Sequence, residues 1–131
     1  MTQAAHDPET DGRVVFEHEE NGILRVRYTG DITLDLAEKS GDIILDHLKA
    51  GTRRILYDVA GSTPVFSPVA LLDEVRRIGR AGGREARFCY LAPENMFTRH
   101  FMLIEAAAFN EGIRVKFLSD EAAAKAWLTG D

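Results

Sequence analysis

The sequence contains little cysteine and no long apolar run. Its single cysteine, Cys89, cannot form a disulfide within the chain, so nothing points to an oxidising compartment. No stretch approaches the roughly 20 apolar residues that a membrane-spanning helix needs. The polar segment 1–12 also lacks the basic start and apolar stretch of a secretion signal. We therefore expect a cytoplasmic protein that does not insert into membranes, with residues 1–12 as a flexible N-terminal tail.

Positive charge is also in short supply. Sixteen Lys and Arg residues against twenty-one Asp and Glu residues give a net charge of −5. A negative field repels nucleic acids and anionic lipid surfaces. We therefore expect no nucleic-acid partner.

Catalytic motifs are missing as well. The sequence has no Gly-x-Ser-x-Gly elbow and no Gly-x-x-x-x-Gly-Lys phosphate loop. The four histidines lie on different predicted elements without the paired spacing of metal ligands: His6, His18, His47 and His100. We therefore predict a protein that is not an enzyme and that holds no cofactor and no metal.

The 131 residues suit one domain, which we place at 13–131. Alternating apolar residues at 14–18 and 23–29 flank Asn21-Gly22, a dipeptide that favours a tight turn, and so predict a β-hairpin over 14–29. Arg25 and Arg27 share one face of the hairpin, which we expect to be solvated.

Helices and strands alternate after the hairpin. Helices are predicted at 33–50, 67–80, 93–110 and 119–128, with strands at 54–59, 87–91 and 113–117. Crossover helices of this length connect parallel strands. The predicted order is therefore ββαβαβαβα, an α/β domain with a mixed five-stranded sheet.

Three stretches and this element order resemble the STAS-like family, named for sulfate transporters and anti-sigma-factor antagonists. The stretches are VRYTGDIT at 26–33, RILYD at 54–58 and VKFLSDEAAAKAWL at 115–128. They are similar to a bacterial subgroup whose members are mostly uncharacterised. The resemblance implies a single STAS-like domain and a regulatory, protein-binding role.

The loop after the third strand carries candidate functional residues. In the anti-sigma-factor antagonists a serine pair at the start of the next helix includes the phosphorylated residue. Here Ser67 matches the first serine, and Pro68 stands where the phosphorylated one lies. Ser67 could accept phosphate or simply cap the helix, and Ser62 and Thr63 are alternative acceptors. Asp58, predicted to end the strand, could bind a ligand hydroxyl or cap the loop.

The third helix is apolar on more than one face. Beyond one stripe that covers the sheet, several large residues need another partner: Met96, Phe97, Met102, Leu103 and Phe109. They could be covered by this chain's own loops, by a second copy in a homodimer, by another protein, or by an apolar ligand. We expect a regulatory or protein-binding domain of unknown partner, and the alternative is a carrier or sensor of a small apolar or amphipathic ligand such as a lipid.

Overall fold

The computed structural model describes residues 3–7, 10–96 and 99–130. The strands are β1 Gln3–His6, β2 Arg13–His18, β3 Ile23–Ile32, β4 Arg54–Pro64, β5 Arg87–Leu91 and β6 Arg114–Leu118. The α-helices are α1 Leu34–Lys49, α2 Pro68–Gly82, α3 Arg99–Asn110 and α4 Glu121–Thr129. The alternation of helices and strands after a hairpin is therefore as predicted.

The strands form one sheet in the order β1-β2-β3-β4-β5-β6. The pairs β1–β2 and β2–β3 are antiparallel, and the other pairs are parallel. The prediction of five strands is wrong by one, because residues 3–6 of the predicted tail form β1 against the edge of β2. Only four residues long, β1 is too short to show a period in the sequence. It is secured by Asp7, whose carboxylate accepts a hydrogen bond from Thr33 at 2.7 Å.

The strands on either side of α1 are longer than predicted. The hairpin turn at Asn21 and Gly22 has φ values of 63° and 73°, as the dipeptide suggested. However, β3 continues to Ile32 and β4 continues to Pro64, because Gly30, Asp31 and Ile32 pair in parallel with residues 62–64. The prediction that the hairpin ends at residue 29 is therefore wrong, because the strand continues through Gly30 and Asp31.

The helix starts follow their capping side chains, with one exception. The side chains of Thr33, Ser67 and Asp120 accept hydrogen bonds from the third residue after each, at 3.2, 3.2 and 2.8 Å. The third helix was predicted to begin at Pro93, and this is wrong. The Met96 amide donates to the Pro93 carbonyl at 2.9 Å, which closes a tighter 3₁₀ turn before α3 begins at Arg99.

The sheet is covered by three helices on one face and one on the other. The larger core joins α1, α2 and α3 to the sheet, with Leu36, Ile44 and Ile104 among its buried members. The smaller core joins α4 to the opposite face through Ala124 and Leu128. Successive strand residues alternate between these two cores.

An ionic cluster ties α4 to the sheet. Arg25 is only 4% exposed. Its guanidinium contacts the carboxylates of Glu19 at 2.7 Å, Asp58 at 2.8 Å and Glu121 at 2.8 Å. Lys125 of α4 adds contacts to Glu19 and Glu121 at 3.1 and 3.2 Å. The expectation of a solvated Arg25 is therefore wrong: α4 covers this face, and a buried guanidinium is stable only when it is paired.

A substitution at Gly79 tests the close packing of α2 against Ile113. A Cβ at Gly79 would lie 2.5 Å from Cγ2 of Ile113, whereas a Cβ at Gly61 would lie at an ordinary 3.6 Å from Thr29. We expect Gly79→Ala to lower the free energy of unfolding by about 1–3 kcal/mol through overpacking. Gly61→Ala is the matched control and should not destabilise. Urea unfolding measures both, and equal stability of the two variants would contradict this packing.

A substitution at Glu121 tests whether the ionic cluster stabilises the fold. Hydrogen bonds from Arg25 and then Lys125 hold the pKa of Glu121 below its ordinary value of 4.5. A carboxylate whose pKa is lower in the folded state than in the unfolded state stabilises the folded protein at pH values above its unfolded-state pKa. This contribution disappears as the pH falls through the folded-state pKa. Acidification from about pH 6 to about pH 3 should therefore cost the wild type more stability than Glu121→Gln.

The control is Glu38→Gln, at an exposed carboxylate of α1 that has no ion pair among the described residues. Its unfolding midpoints in urea should follow the wild-type pH dependence. If Glu121→Gln also follows it, the cluster does not stabilise the fold in this way.

Candidate functional site

The four loop candidates do not form one site. Asp58 faces α4 and bonds to Arg25 at 2.8 Å and Arg27 at 3.5 Å. Ser62 lies on the other face and lines a cavity, while Thr63 is exposed. A shift in the β3–β4 register between Arg27 and Thr29 separates the two halves of β4. Asp58 is therefore neither at the end of its strand nor a loop cap, but an acceptor in the ionic cluster.

Ser67 begins α2. Its hydroxyl oxygen accepts the Ala70 amide at 3.2 Å, and Pro68 occupies the first turn. Both observations fit an N-cap followed by proline. The apolar side chains of Val65 and Val69 on either side are 51% and 69% exposed.

The predicted apolar surface of the third helix divides into an inner and an outer part. Met96 is half-buried and lines the same cavity as Ser62. Met102, Leu103 and Phe109 are 71%, 60% and 79% exposed and lie on the outer face of α3. Phe97 lies outside the described residues.

The cavity lies between the sheet and helices α1 and α2, and Met96 and Phe101 line a further side. It encloses about 80 Å³. Its lining is mainly apolar, and the members that matter for its chemistry are Tyr28, Tyr57, Tyr90, Ser62 and Glu74. A second hollow of about 230 Å³ shares Pro64, Phe66, Leu71, Met96 and Phe101 with it and extends to Ser67. The cavity therefore continues into a groove that opens at the start of α2.

A row of aromatic rings crosses the sheet beneath this cavity. Tyr57 stacks on Tyr90 with ring centroids 4.4 Å apart, and Tyr90 stacks on Phe117 at 4.8 Å. Tyr28 extends the row on the other side of Tyr57, at 6.3 Å. The register explains the row, because Tyr57, Tyr90 and Phe117 are directly paired on β4, β5 and β6.

Burial keeps these phenols protonated. Desolvation raises the pKa of Tyr28 to about 12 and also raises the pKa values of Tyr57 and Tyr90 well above their ordinary value. The Tyr28 hydroxyl lies 3.0 Å from the Ser40 hydroxyl. At neutral pH each phenol is therefore a neutral group that can donate a hydrogen bond.

Glu74 supplies the charge at this cavity. Its side chain is 12% exposed and is held by Arg77 at 2.9 and 3.1 Å. Its negative charge also contributes to the raised pKa values of Tyr28, Tyr57 and Tyr90. The carboxylate is therefore close enough to influence a molecule in the cavity.

This cavity was not predicted from the sequence. Tyr28, Tyr57 and Tyr90 lie at alternate positions of separate strands, so each is a routine core residue by itself. The sequence did contain one signal. In the stretches around 28, 57 and 90, each tyrosine falls on the same face of its strand as the apolar neighbours two positions away. Only the strand register shows that the three phenols meet.

Other reactive groups of the described chain are less suited to chemistry. Cys89 is buried, and desolvation raises the pKa of its thiol to about 12. No group of three potential His, Cys, Asp or Glu ligands is close enough to hold a metal within 3–7, 10–96 and 99–130. In the same ranges, no helix has both the length and the apolar character to cross a bilayer.

Comparison with known proteins gives matches by structure. No protein-family model matches the chain, and no curated protein sequence does. An anti-sigma factor antagonist from Mycobacterium paratuberculosis superposes with a TM-score of 0.66 at 14% identity, over 96% of this chain and 100% of that one. The anti-sigma factor antagonist SpoIIAA in its unphosphorylated form gives 0.59 at 15% identity, over 90% and 99%.

A third neighbour is an uncharacterised protein of the DUF3478 family from Shewanella loihica PV-4, described as having a SpoIIAA-like fold. Its TM-score is 0.59 at 16% identity, over 98% of this chain and 95% of that one. The resemblance noted in the sequence is thus confirmed at the level of structure. The chain has the STAS-like fold of the anti-sigma factor antagonists, with six strands in its sheet.

Proposed function

We propose that this protein is a non-enzymatic regulatory domain that acts by binding another protein through the outer face of α3. The observation that carries this proposal is the exposure of Met102, Leu103 and Phe109, each by 60% or more, on two adjoining outward stripes of a single helix. Soluble monomers rarely leave large apolar side chains grouped in this way without a partner.

The fold supports a protein partner rather than a substrate. Two of the structural neighbours are described as anti-sigma factor antagonists, a regulatory role defined by another protein. In this chain Ser67 uses its hydroxyl as a helix cap and Pro68 has none. We therefore propose that binding does not depend on a phosphoserine at position 68.

The shape of the outer face favours a helix as the contacting element. Residues 102, 106 and 109 follow one stripe at helical spacing, and the small side chain of Ala106 lies between the larger ones. A small residue at the centre of a stripe lets a second helix approach closely. The proposed occupant is therefore an amphipathic helix of a partner protein, laid across Ala106.

Leu103→Glu is the test of this surface. It places a charge where apolar contact is required, and we expect it to weaken partner binding by about tenfold or more. Leu103 is exposed, so circular dichroism and the unfolding midpoint should stay unchanged. The matched control is Val69→Glu, an equally exposed apolar position on α2, which should bind as the wild type does.

A photo-crosslinking residue at position 103, compared with one at position 69, identifies the occupant in the native host. We expect one protein to be recovered from position 103 alone, and the purified pair to show the effect of Leu103→Glu. Cross-links to this chain itself would replace the proposed partner with a homodimer. Equal yields from the two positions would contradict the proposal.

A further inference from the structure

Two phenol hydroxyls that line the cavity have no hydrogen-bond partner among the described residues. They are the hydroxyls of Tyr57 and Tyr90, whose rings both line the cavity. Tyr57 is only 4% exposed. Tyr90 is half-buried, and both hydroxyl oxygens keep some accessible surface, since neither is among the sealed side-chain atoms that lack a partner. Hydroxyls at such sites bond to water or to a bound molecule. Their partner is therefore to be sought inside the cavity.

The hydroxyls of Tyr57 and Tyr90 differ in this respect from the other hydroxyls that line the cavity. The hydroxyl of Tyr28 has Ser40 at 3.0 Å, and the hydroxyl of Ser62 donates to the Val59 carbonyl at 2.8 Å. The hydroxyls of Tyr28 and Ser62 are therefore satisfied within the protein, and among the described residues those of Tyr57 and Tyr90 are not. A guest that accepts hydrogen bonds from these two hydroxyls would satisfy both.

Charge restricts the guest further. The Glu74 carboxylate lines the same cavity, so a negatively charged guest would be repelled. A positively charged guest would compete with Arg77, which already holds Glu74 at 2.9 Å and Asp42 at 2.9 Å. The electrostatics therefore favour a neutral guest.

Size and lining describe the rest of the guest. The enclosed part measures about 80 Å³, and the groove that continues from it measures about 230 Å³. A single buried water needs roughly 10–15 Å³, and an apolar cavity of about 150 Å³ holds benzene. The enclosed part thus suits a small polar head with a few carbons. The groove, walled by Phe66, Leu71 and Phe101, suits an apolar tail.

We propose that this cavity binds a small neutral molecule whose buried end carries a carbonyl or similar hydrogen-bond acceptor and whose apolar body lies in the groove. The acceptor is held by the hydroxyls of Tyr57 and Tyr90. This site is separate from the outer face of α3, because Met96 and Phe101 face the cavity whereas Met102 and Leu103 face outward. The proposal therefore stands or falls independently of partner binding.

Two methionines allow binding in the cavity to be distinguished from binding at the outer face of α3. In the full chain labelled with ¹³C at the methionine methyls, Met96 reports on the cavity and Met102 on the outer face of α3. Titration with 2-octanone, a neutral acceptor with an apolar tail, should shift the Met96 signal saturably and leave the Met102 signal in place. Octanoate, of matched chain length but negative charge, should bind about tenfold more weakly.

Tyr57→Phe, a matched control and Leu71→Trp separate the effect of the hydrogen bond from the effect of cavity volume. Tyr57→Phe keeps the ring and removes the hydroxyl, so it should weaken 2-octanone binding by about threefold to tenfold. The matched control is Thr63→Val, which removes an exposed hydroxyl outside the cavity lining, and its affinity should stay within about twofold of the wild type. Leu71→Trp fills the mouth of the cavity and should abolish the Met96 shift while the Met102 signal shows that the fold is kept.

Several results would overturn the proposal. They are the absence of a saturable Met96 shift, equal shifts of Met96 and Met102, tighter binding of octanoate than of 2-octanone, and wild-type affinity in Tyr57→Phe. Water as the sole occupant of the cavity would give the first of these.

Discussion

The pairing of β4 between β3 and β5 is the constraint on which the rest of the structure depends. Because side chains alternate along a strand, Tyr57 faces the three-helix side and its neighbour Asp58 faces α4. The same register places Tyr57 beside Tyr90 and places Asp58 within reach of Arg25. One strand therefore builds both the phenol floor of the cavity and the ionic cluster under α4. A shift by one residue would exchange the two faces.

Polar groups lie on both faces of the sheet, but they are satisfied in different ways. Under α4 a guanidinium is buried and nearly surrounded by carboxylates, so its charge is compensated within the chain. On the other face the phenols are neutral and need only hydrogen bonds, which the protein supplies to Tyr28 but not to Tyr57. The ionic cluster therefore balances its charges within the chain, whereas the cavity is lined by two phenol hydroxyls that have no hydrogen-bond partner among the described residues. Asp58, which the sequence offered as a ligand contact or a loop cap, is one of the carboxylates that pair with Arg25 in this cluster.

Much of the fold was predictable because it is encoded locally. Asn21-Gly22 specifies its turn by backbone preference, and Thr33 and Ser67 specify helix starts by their hydroxyls. The burial of Arg25 was not predictable, because it depends on α4, which lies about a hundred residues further along the chain. The cavity was missed for the same reason: its phenols come from three strands and meet only through the register. The excess of apolar residues near α3 was recognised, but only the structure divides it into Met96 inside and Leu103 outside.

A crystal structure of the protein grown with 2-octanone would test most directly whether the face of β4 that carries Tyr57 forms a binding site. We expect density for the ketone in the cavity, with its oxygen about 2.7–3.0 Å from the hydroxyl of Tyr57 or Tyr90 and its chain along Leu71. A cavity that holds only water, or that closes so that the Tyr57 hydroxyl bonds to a protein group, would contradict this.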